Sequence, residues 1–478
     1  MEATRNVTVR DVAVPVATVG AGLVALGTMV ALIWRDSPLV NDEPLYAARG
    51  LGIQVVWPGY RAPGLPFVAS VIDSSDTVAL RAATVASAVL LAMTAGLLTW
   101  RLSRNAAAGL VTAALLISAP GVIETAVQFL PDVPGSLVVV LAVLCVVLAS
   151  DGDRLKWWSL IAIPLTLAAN YMRFSSSVSI VAGLVAVALF RSQVLKRSKV
   201  VAVVLVVGVV LATGVSNFTP QPGSEDSRSA WSANKELISE KAEPLSDRGK
   251  SLVLSTASTV GLERQLSPMT PAGVVYAAGF VLAMAAALWK WRSTGPYLLW
   301  AAVTLVAYAV SLGHFETRYM VPIVVPLCCA AAVGAAELLK NRAVLLAGAI
   351  VVVSVSGVAF AAKQVVRTQD MEIEPRVARI EAAEFIRSIA DGPCSLRKSE
   401  VDDSDIKAEG YVGLTAVALL SKCGIDPNAR QAFVVEELSP EGQSPRPPIF
   451  ERSYRYFDED AEEWYDRRLV VYRIGGAS

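Results

Sequence analysis

Residues 40–67 read VNDEPLYAARGLGIQVVWPGYRAPGLPF. The stretch holds two adjacent carboxylates, Asp42 and Glu43, two arginines, Arg49 and Arg61, and a cluster of proline, glycine and aromatic residues. Long apolar segments flank it, at 12–34 and 78–100. Of the 478 residues 54% are hydrophobic and 18% charged, with a mean hydropathy of +0.51. Soluble domains run at roughly 45–50% apolar and about 25% charged. The excess sits in blocks such as 12–34, 133–150, 320–338 and 343–362, each long enough to cross a bilayer's hydrocarbon core. The expected fold class is a polytopic α-helical membrane protein.

Basic and acidic residues balance at 42 each, which argues against a nucleic-acid partner, since such partners leave a basic footprint. The first apolar segment lacks a convincing cleavage site and reads as a retained first helix. Short loops carrying Lys and Arg mark the cytoplasmic side. Arg5 and Arg10, Arg101 and Arg104, Arg154 and Lys156, Lys196 and Arg197, Lys290 and Arg292, and Lys340 and Arg342 all fall on one side. The spans implied lie at 12–34, 78–100, 106–119, 133–150, 157–171, 175–190, 200–215, 271–288, 296–312, 319–338 and 343–362. That makes about eleven crossings of the plasma membrane, with the N-terminus cytoplasmic and the C-terminus outside.

Residues 1–362 then form the membrane domain, with outer loops 35–77 and 216–270 and a partly helical, membrane-hugging segment at 120–131. The second loop predicts a short helix around 231–241. Residues 363–478 suffice for a small extracytoplasmic α/β domain. Apolar spacing predicts helices over 375–389 and 411–420, and β-branched runs predict strands over 431–436 and 469–474. Three of the five cysteines, Cys145, Cys328 and Cys329, fall in spans and read as packing residues. Cys394 and Cys423 flank the second C-terminal helix, and an extracytoplasmic location predicts that they pair.

Ionisable residues in or beside spans are costly and mark function. The outward set is Asp42, Glu43, Arg49, Arg61, Glu124, Asp132, Arg173, His314, Glu316 and Arg318. Its arginines run against the inside-positive trend. A polar site at the outer membrane surface that binds an anion and activates a nucleophile accounts for all of them. Blander readings exist for each. Asp42-Glu43-Pro44 also suits a helix N-terminus, Arg173 a snorkelling headgroup contact, Asp132 a span entrance, and Trp57, Tyr60 and Phe67 interfacial anchors.

Asn41-Asp42-Glu43 with Tyr46-Ala47 resembles the Asp-Glu motif in the first outer loop of the GT-C glycosyltransferases, nearest the protein O-mannosyltransferase and lipid A aminoarabinose transferase group. Arg61-Ala62-Pro63-Gly64-Leu65-Pro66 resembles the second half of that loop, and Pro131-Asp132-Val133-Pro134 the Asp-x-Pro of the second outer loop. Glu316-Thr317-Arg318-Tyr319-Met320-Val321-Pro322 resembles the late Arg-Tyr-x-x-Pro motif. The resemblance implies a polyprenyl-phosphate sugar donor in a lipid membrane, and a protein, glycolipid or polysaccharide acceptor outside the cytoplasm. It makes Asp42 the general base for the acceptor hydroxyl. Arg318, with Arg61 and Arg173, would hold the donor phosphate. Glu43 and Asp132 are further catalytic candidates, as orienting groups or as the nucleophile of a double displacement. Tyr46, Tyr60, His314, Glu316 and Tyr319 are candidates for substrate contact. A lone histidine does not suit the usual zinc site, so no cofactor is implied beyond a divalent cation held by carboxylates. The competing function is a transporter or flippase of a lipid-linked sugar, and a membrane scaffold with a partner-binding C-terminal domain is a further one.

Overall fold

In the computed structural model the described residues are 22, 24–33, 42–53, 55, 61–74, 76–150, 155–173, 175–190, 245–261, 270–311, 317–390, 394–398, 409–425, 432–439, 446–458 and 463–474. The chain folds as a multi-pass helical membrane protein with a small α/β unit at its C-terminal end. The helices, in order, are α1 (Val24–Ile33), α2 (Glu43–Gly50), α3 (Gly64–Ile72), α4 (Thr77–Ser103), α5 (Ala106–Ile117), α6 (Pro120–Ala126), α7 (Asp132–Ser150), α8 (Leu155–Met172) and α9 (Ser176–Phe190). There follow α10 (Leu245–Thr259), α11 (Pro271–Trp289), α12 (Trp291–Ser311), a 3₁₀ turn (Thr317–Met320), α13 (Val321–Leu338), α14 (Ala343–Ile389) and α15 (Glu409–Ser421).

Among the described residues, α4, α11, the turn with α13, and α14 are long and apolar enough to cross a membrane, and α5 with α6, bent by 60°, makes a fifth candidate. The expected spans at 12–34, 133–150, 157–171 and 175–190 contain shorter apolar helical stretches, and the described part of the one at 296–312 lies within α12. The span at 200–215 and the helix around 231–241 lie outside the described residues. The described part of segment 216–270 carries α10.

Local chemistry sets the helix ends. Asp76 caps α4 by accepting from the Val78 N–H at 3.1 Å, and Arg104 closes that helix in the left-handed region at φ 58°. Asn105 then caps α5, and Thr270 caps α11 with Pro271 in its first turn. Helices α4 and α5 approach through small residues. A Cβ on Gly96 would sit 2.7 Å from the Gly109 carbonyl oxygen, and one on Gly109 would sit 2.6 Å from that of Gly96.

Hydropathy suggests that the last span ends near 362 and that a separate helix begins at 375. The two are one helix, α14, of 47 residues. Its C-terminal half continues into the C-terminal domain. There α14 and α15 pack on a five-stranded sheet of β1 (Ser395–Lys398), β2 (Gly424–Ile425), β3 (Ala432–Leu438), β4 (Phe450–Asp458) and β5 (Glu463–Ile474). The strand order is β2-β1-β3-β5-β4, with β1 parallel to β2 and β3, and β5 antiparallel to β3 and β4. The expected strands at 431–436 and 469–474 correspond to β3 and β5, and the expected helix at 411–420 to α15. A disulfide joins Cys394, just before β1, to Cys423, just before β2.

The apolar core of this domain does not end at the domain. Phe433, Val435, Leu469 and Val471 of the sheet, Ala378, Ala382 and Ile386 of α14, and Leu414, Val417 and Ala418 of α15 share one cluster with Leu45, Tyr46, Ala47 and Ala48 of α2. The helix that begins at Asp42 is thereby wedged between the membrane helices and the C-terminal domain.

Candidate active site

Helix α2 starts at the acidic pair. Asp42 is its N-cap, and Pro44 occupies the first turn, where its missing N–H is no loss. The Asp42 side chain makes no capping bond. It faces two arginines instead. Arg61 Nη2 donates to Asp42 Oδ1 at 2.7 Å, and Arg61 Nη1 lies 2.5 Å from Oδ2, a bidentate fork. Arg318 Nη2 lies 3.2 Å from the same Oδ2. A first-loop carboxylate thus joins the second half of its own loop to the 3₁₀ turn ahead of α13, 276 residues away.

The Tyr319 ring connects this group to a second ion pair. The Arg318 guanidinium carbon is 5.2 Å from the ring centroid and that of Arg173 is 4.6 Å from it, both within cation–π range. Arg173 pairs with Asp132, a nearly fully buried carboxylate in the first turn of α7. The Arg173 turn is fixed locally. Its Nε donates to Ser175 Oγ at 3.0 Å, the Tyr308 hydroxyl donates to the same oxygen at 3.4 Å, and Asn170 Oδ1 accepts from the Ser177 N–H at 3.1 Å. Tyr46 is buried beside Arg61, whose guanidinium carbon is 5.7 Å from its ring centroid. Burial pushes the Tyr46 phenol up, and the positive charge of Arg61 partly offsets that rise.

Asp42, Arg61, Arg318, Tyr319, Arg173 and Asp132 therefore form one continuous array, with Tyr46 at its edge. Among the described residues, three guanidinium groups and two carboxylates make up this array. Each ion-paired side chain is at most 18% exposed. Charges so little screened by water act strongly on an anion placed among them.

Glu43 sits elsewhere. It is fully buried, and Arg81 of α4 grips it with Nε at 2.9 Å from Oε1 and Nη2 at 2.7 Å from Oε2. The Phe129 N–H donates to Oε1 at 2.5 Å. This clamp ties α2 to α4 and to the segment after α6, and so fixes the residue next to Asp42. Arg81 escaped the sequence reading because it lies inside an apolar segment. An arginine near the outer end of a predicted span was the available signal.

Tyr60, His314 and Glu316, with Trp57, lie outside the described residues. Among the described residues no three His, Cys, Asp or Glu side chains gather as a metal site would require. Asp132, the sequence candidate for metal or acceptor binding, is engaged by Arg173.

Residues 65–216 match the family model described as dolichyl-phosphate-mannose-protein mannosyltransferase. No curated protein sequence matches significantly. Among solved structures, ArnT from Cupriavidus metallidurans in the apo state matches with a TM-score of 0.61 at 14% identity, over 95% of this chain and 97% of that one. The same enzyme bound to undecaprenyl phosphate gives 0.57 at 14%, over 96% and 98%. The archaeal oligosaccharyltransferase AglB from Archaeoglobus fulgidus, in complex with an inhibitory peptide and a dolichol-phosphate, gives 0.53 at 11%, over 85% of this chain and 64% of that one. The chain shares the fold of these proteins, and the expected resemblance to the mannosyltransferase and aminoarabinose transferase group is borne out at that level.

Proposed function

We propose that the chain is a membrane glycosyltransferase. It moves a sugar from a polyprenyl-monophosphate donor to a hydroxyl of an extracytoplasmic acceptor, with inversion at the anomeric carbon. The observation that carries this reading is Asp42 held between Arg61 and Arg318, two guanidinium groups brought to one carboxylate from distant parts of the chain. Arg61 and Arg318 bind the donor phosphate through their forked donors, and Arg173 adds charge from behind Tyr319. The acceptor oxygen attacks the anomeric carbon, and the bond to the phosphate oxygen breaks with its electron pair. Polyprenyl phosphate leaves, and Asp42 takes the hydroxyl proton.

A carboxylate flanked by two guanidinium groups is a weak base. When the phosphate draws those donors to itself, Asp42 loses part of its charge neutralisation and its basicity rises. Donor binding and base activation are coupled in this scheme. Leaving-group charge is met by groups already in place, the largest contribution in many such sites. The buried engagement of Glu43 with Arg81 favours a positioning role for Glu43 over nucleophilic attack.

The N-terminus lies in the cytoplasm and the C-terminal domain outside it, an orientation supported by the Cys394–Cys423 disulfide, which persists in oxidising compartments. The test is Asp42→Asn in a folded protein, assayed for sugar transfer from several polyprenyl-phosphate sugars. Loss of transfer with retained fold supports the base assignment, and full-rate transfer removes it. Labelled donor moved across liposomes without transfer establishes the transporter reading instead.

A further inference from the structure

Helix α10 lies within segment 216–270, far in sequence from every arginine of the array. Its last residue, Thr259, is fully buried. The Thr259 hydroxyl shares its one proton between two acceptors, the Ser255 carbonyl oxygen of its own helix at 2.8 Å and the Thr317 carbonyl oxygen at 3.1 Å. Thr317 is the residue before Arg318 and opens the 3₁₀ turn that presents it. The next turn of chain is equally confined. At Gly261, whose φ is +77°, a Cβ would lie 3.4 Å from Pro120 Cγ, and a Cβ on Gly121 would meet Thr259 Cγ2 at 2.4 Å and Thr259 Cα at 2.8 Å. Thr259 is thus wedged between the first turn of α6 and the peptide that carries Arg318.

We infer that Thr259 is a positioning residue for Arg318, and that through it α10 sets where the guanidinium meets the donor phosphate. The 3₁₀ turn has only four residues. Its leading carbonyl is held by a side chain from another element, so the arginine's backbone anchor depends on α10 being seated. Displacements of about 1 Å at such anchors cost up to ~100-fold in well-aligned sites. The inference rests on Arg318 being the phosphate ligand.

The test measures binding of undecaprenyl phosphate to purified full-length protein, with Arg318→Ala, Thr259→Val and Thr259→Ser compared with the parent, alongside KM and kcat for transfer. Valine keeps the shape and removes the hydroxyl, whereas serine keeps the hydroxyl. Arg318→Ala and Thr259→Val are expected to weaken binding by about tenfold or more, the order of one lost hydrogen bond or ion-pair contact, with KM for donor rising more than kcat falls. Thr259→Ser is expected to bind near the parent level. If Arg318→Ala weakens binding and Thr259→Val does not, the positioning role is overturned while Arg318 remains the ligand. If valine and serine weaken binding equally and both lower the melting temperature, Thr259 is only a packing residue and the inference also fails. If Arg318→Ala binds normally, the assignment of Arg318 fails and the inference goes with it.

Discussion

Breaking the Glu43–Arg81 clamp gives the sharpest quantitative expectation. The two side chains are 0% and 4% exposed and meet through two hydrogen-bonded contacts of 2.9 and 2.7 Å. Removing one partner of such a pair strands a buried charge and costs about 3–5 kcal/mol. Arg81→Met removes both guanidinium contacts from Glu43, and Glu43→Gln puts a neutral amide in place of the carboxylate that faces Arg81. Each single variant is expected to melt on the order of 10 °C lower, if the cooperative unit resembles a domain of 150–250 residues. The double variant keeps an acceptor for Phe129 and strands no charge. It is expected to lose less than either single variant, which makes the coupling energy at least the cost of one single variant, about 3–5 kcal/mol. The assay is thermal unfolding of the purified full-length protein in one fixed detergent, with sugar transfer measured at a temperature where all variants are folded. Single variants that melt like the parent, or a double variant that loses the sum of the two, would refute the clamp. A double variant that is stable yet inactive would give Glu43 a direct part in the chemistry.

Two further expectations concern the C-terminal domain. The disulfide closes a sequence separation of 29 residues. Loop-closure entropy predicts that Cys394→Ser with Cys423→Ser destabilises the domain by about 3–4 kcal/mol, and because the domain core includes α2, a reductant should also lower transfer. An unchanged melting curve with reductant would count against that link. Glu374 accepts from the Arg455 guanidinium and backbone N–H, which hold its carboxyl below the ordinary value of 4.5. A depressed folded-state value means the contact's contribution is present above pH 4.5 and is lost as the pH falls through the lower folded value. The pair is exposed, so the effect is small and weakened by salt. Glu374→Gln should lower the melting temperature slightly at neutral pH and remove that part of its acid dependence, and an identical acid profile would contradict this.

Much of the site was legible because its residues are polar where the chain should not be. Asp42, Arg61, Asp132, Arg173 and Arg318 stand out against apolar spans, and the structure brings all five into one array. The elements that hide were those set by distant contacts. The partner of Glu43 is 38 residues away, and although an arginine inside an apolar span is itself a signal, nothing local names Glu43 as its partner. The stretch after 362 is polar, which reads as the end of a span. It also lacks glycine and proline from 358 to 374, so nothing stops the helix, and α14 runs on through Pro375. Helix α10, LSDRGKSLVLSTAST, carries a central glycine and many hydroxyl residues and has little intrinsic helix preference. Docking of Thr259 and Gly261 onto α6 supplies what propensity does not. Strand β4 was missed because arginines interrupt its aromatic residues. It is fixed by its register with β5, Phe450 opposite Val471 through Asp458 opposite Glu463.

The most direct test of the account is an experimental structure of the full-length protein with undecaprenyl phosphate. The account predicts the phosphate oxygens within about 3 Å of the Arg318 and Arg61 guanidinium groups, hydrogen-bond distance for charged donors, with Asp42 released from at least one of them. A phosphate bound away from both arginines, with the Asp42 ion pairs intact, would contradict it.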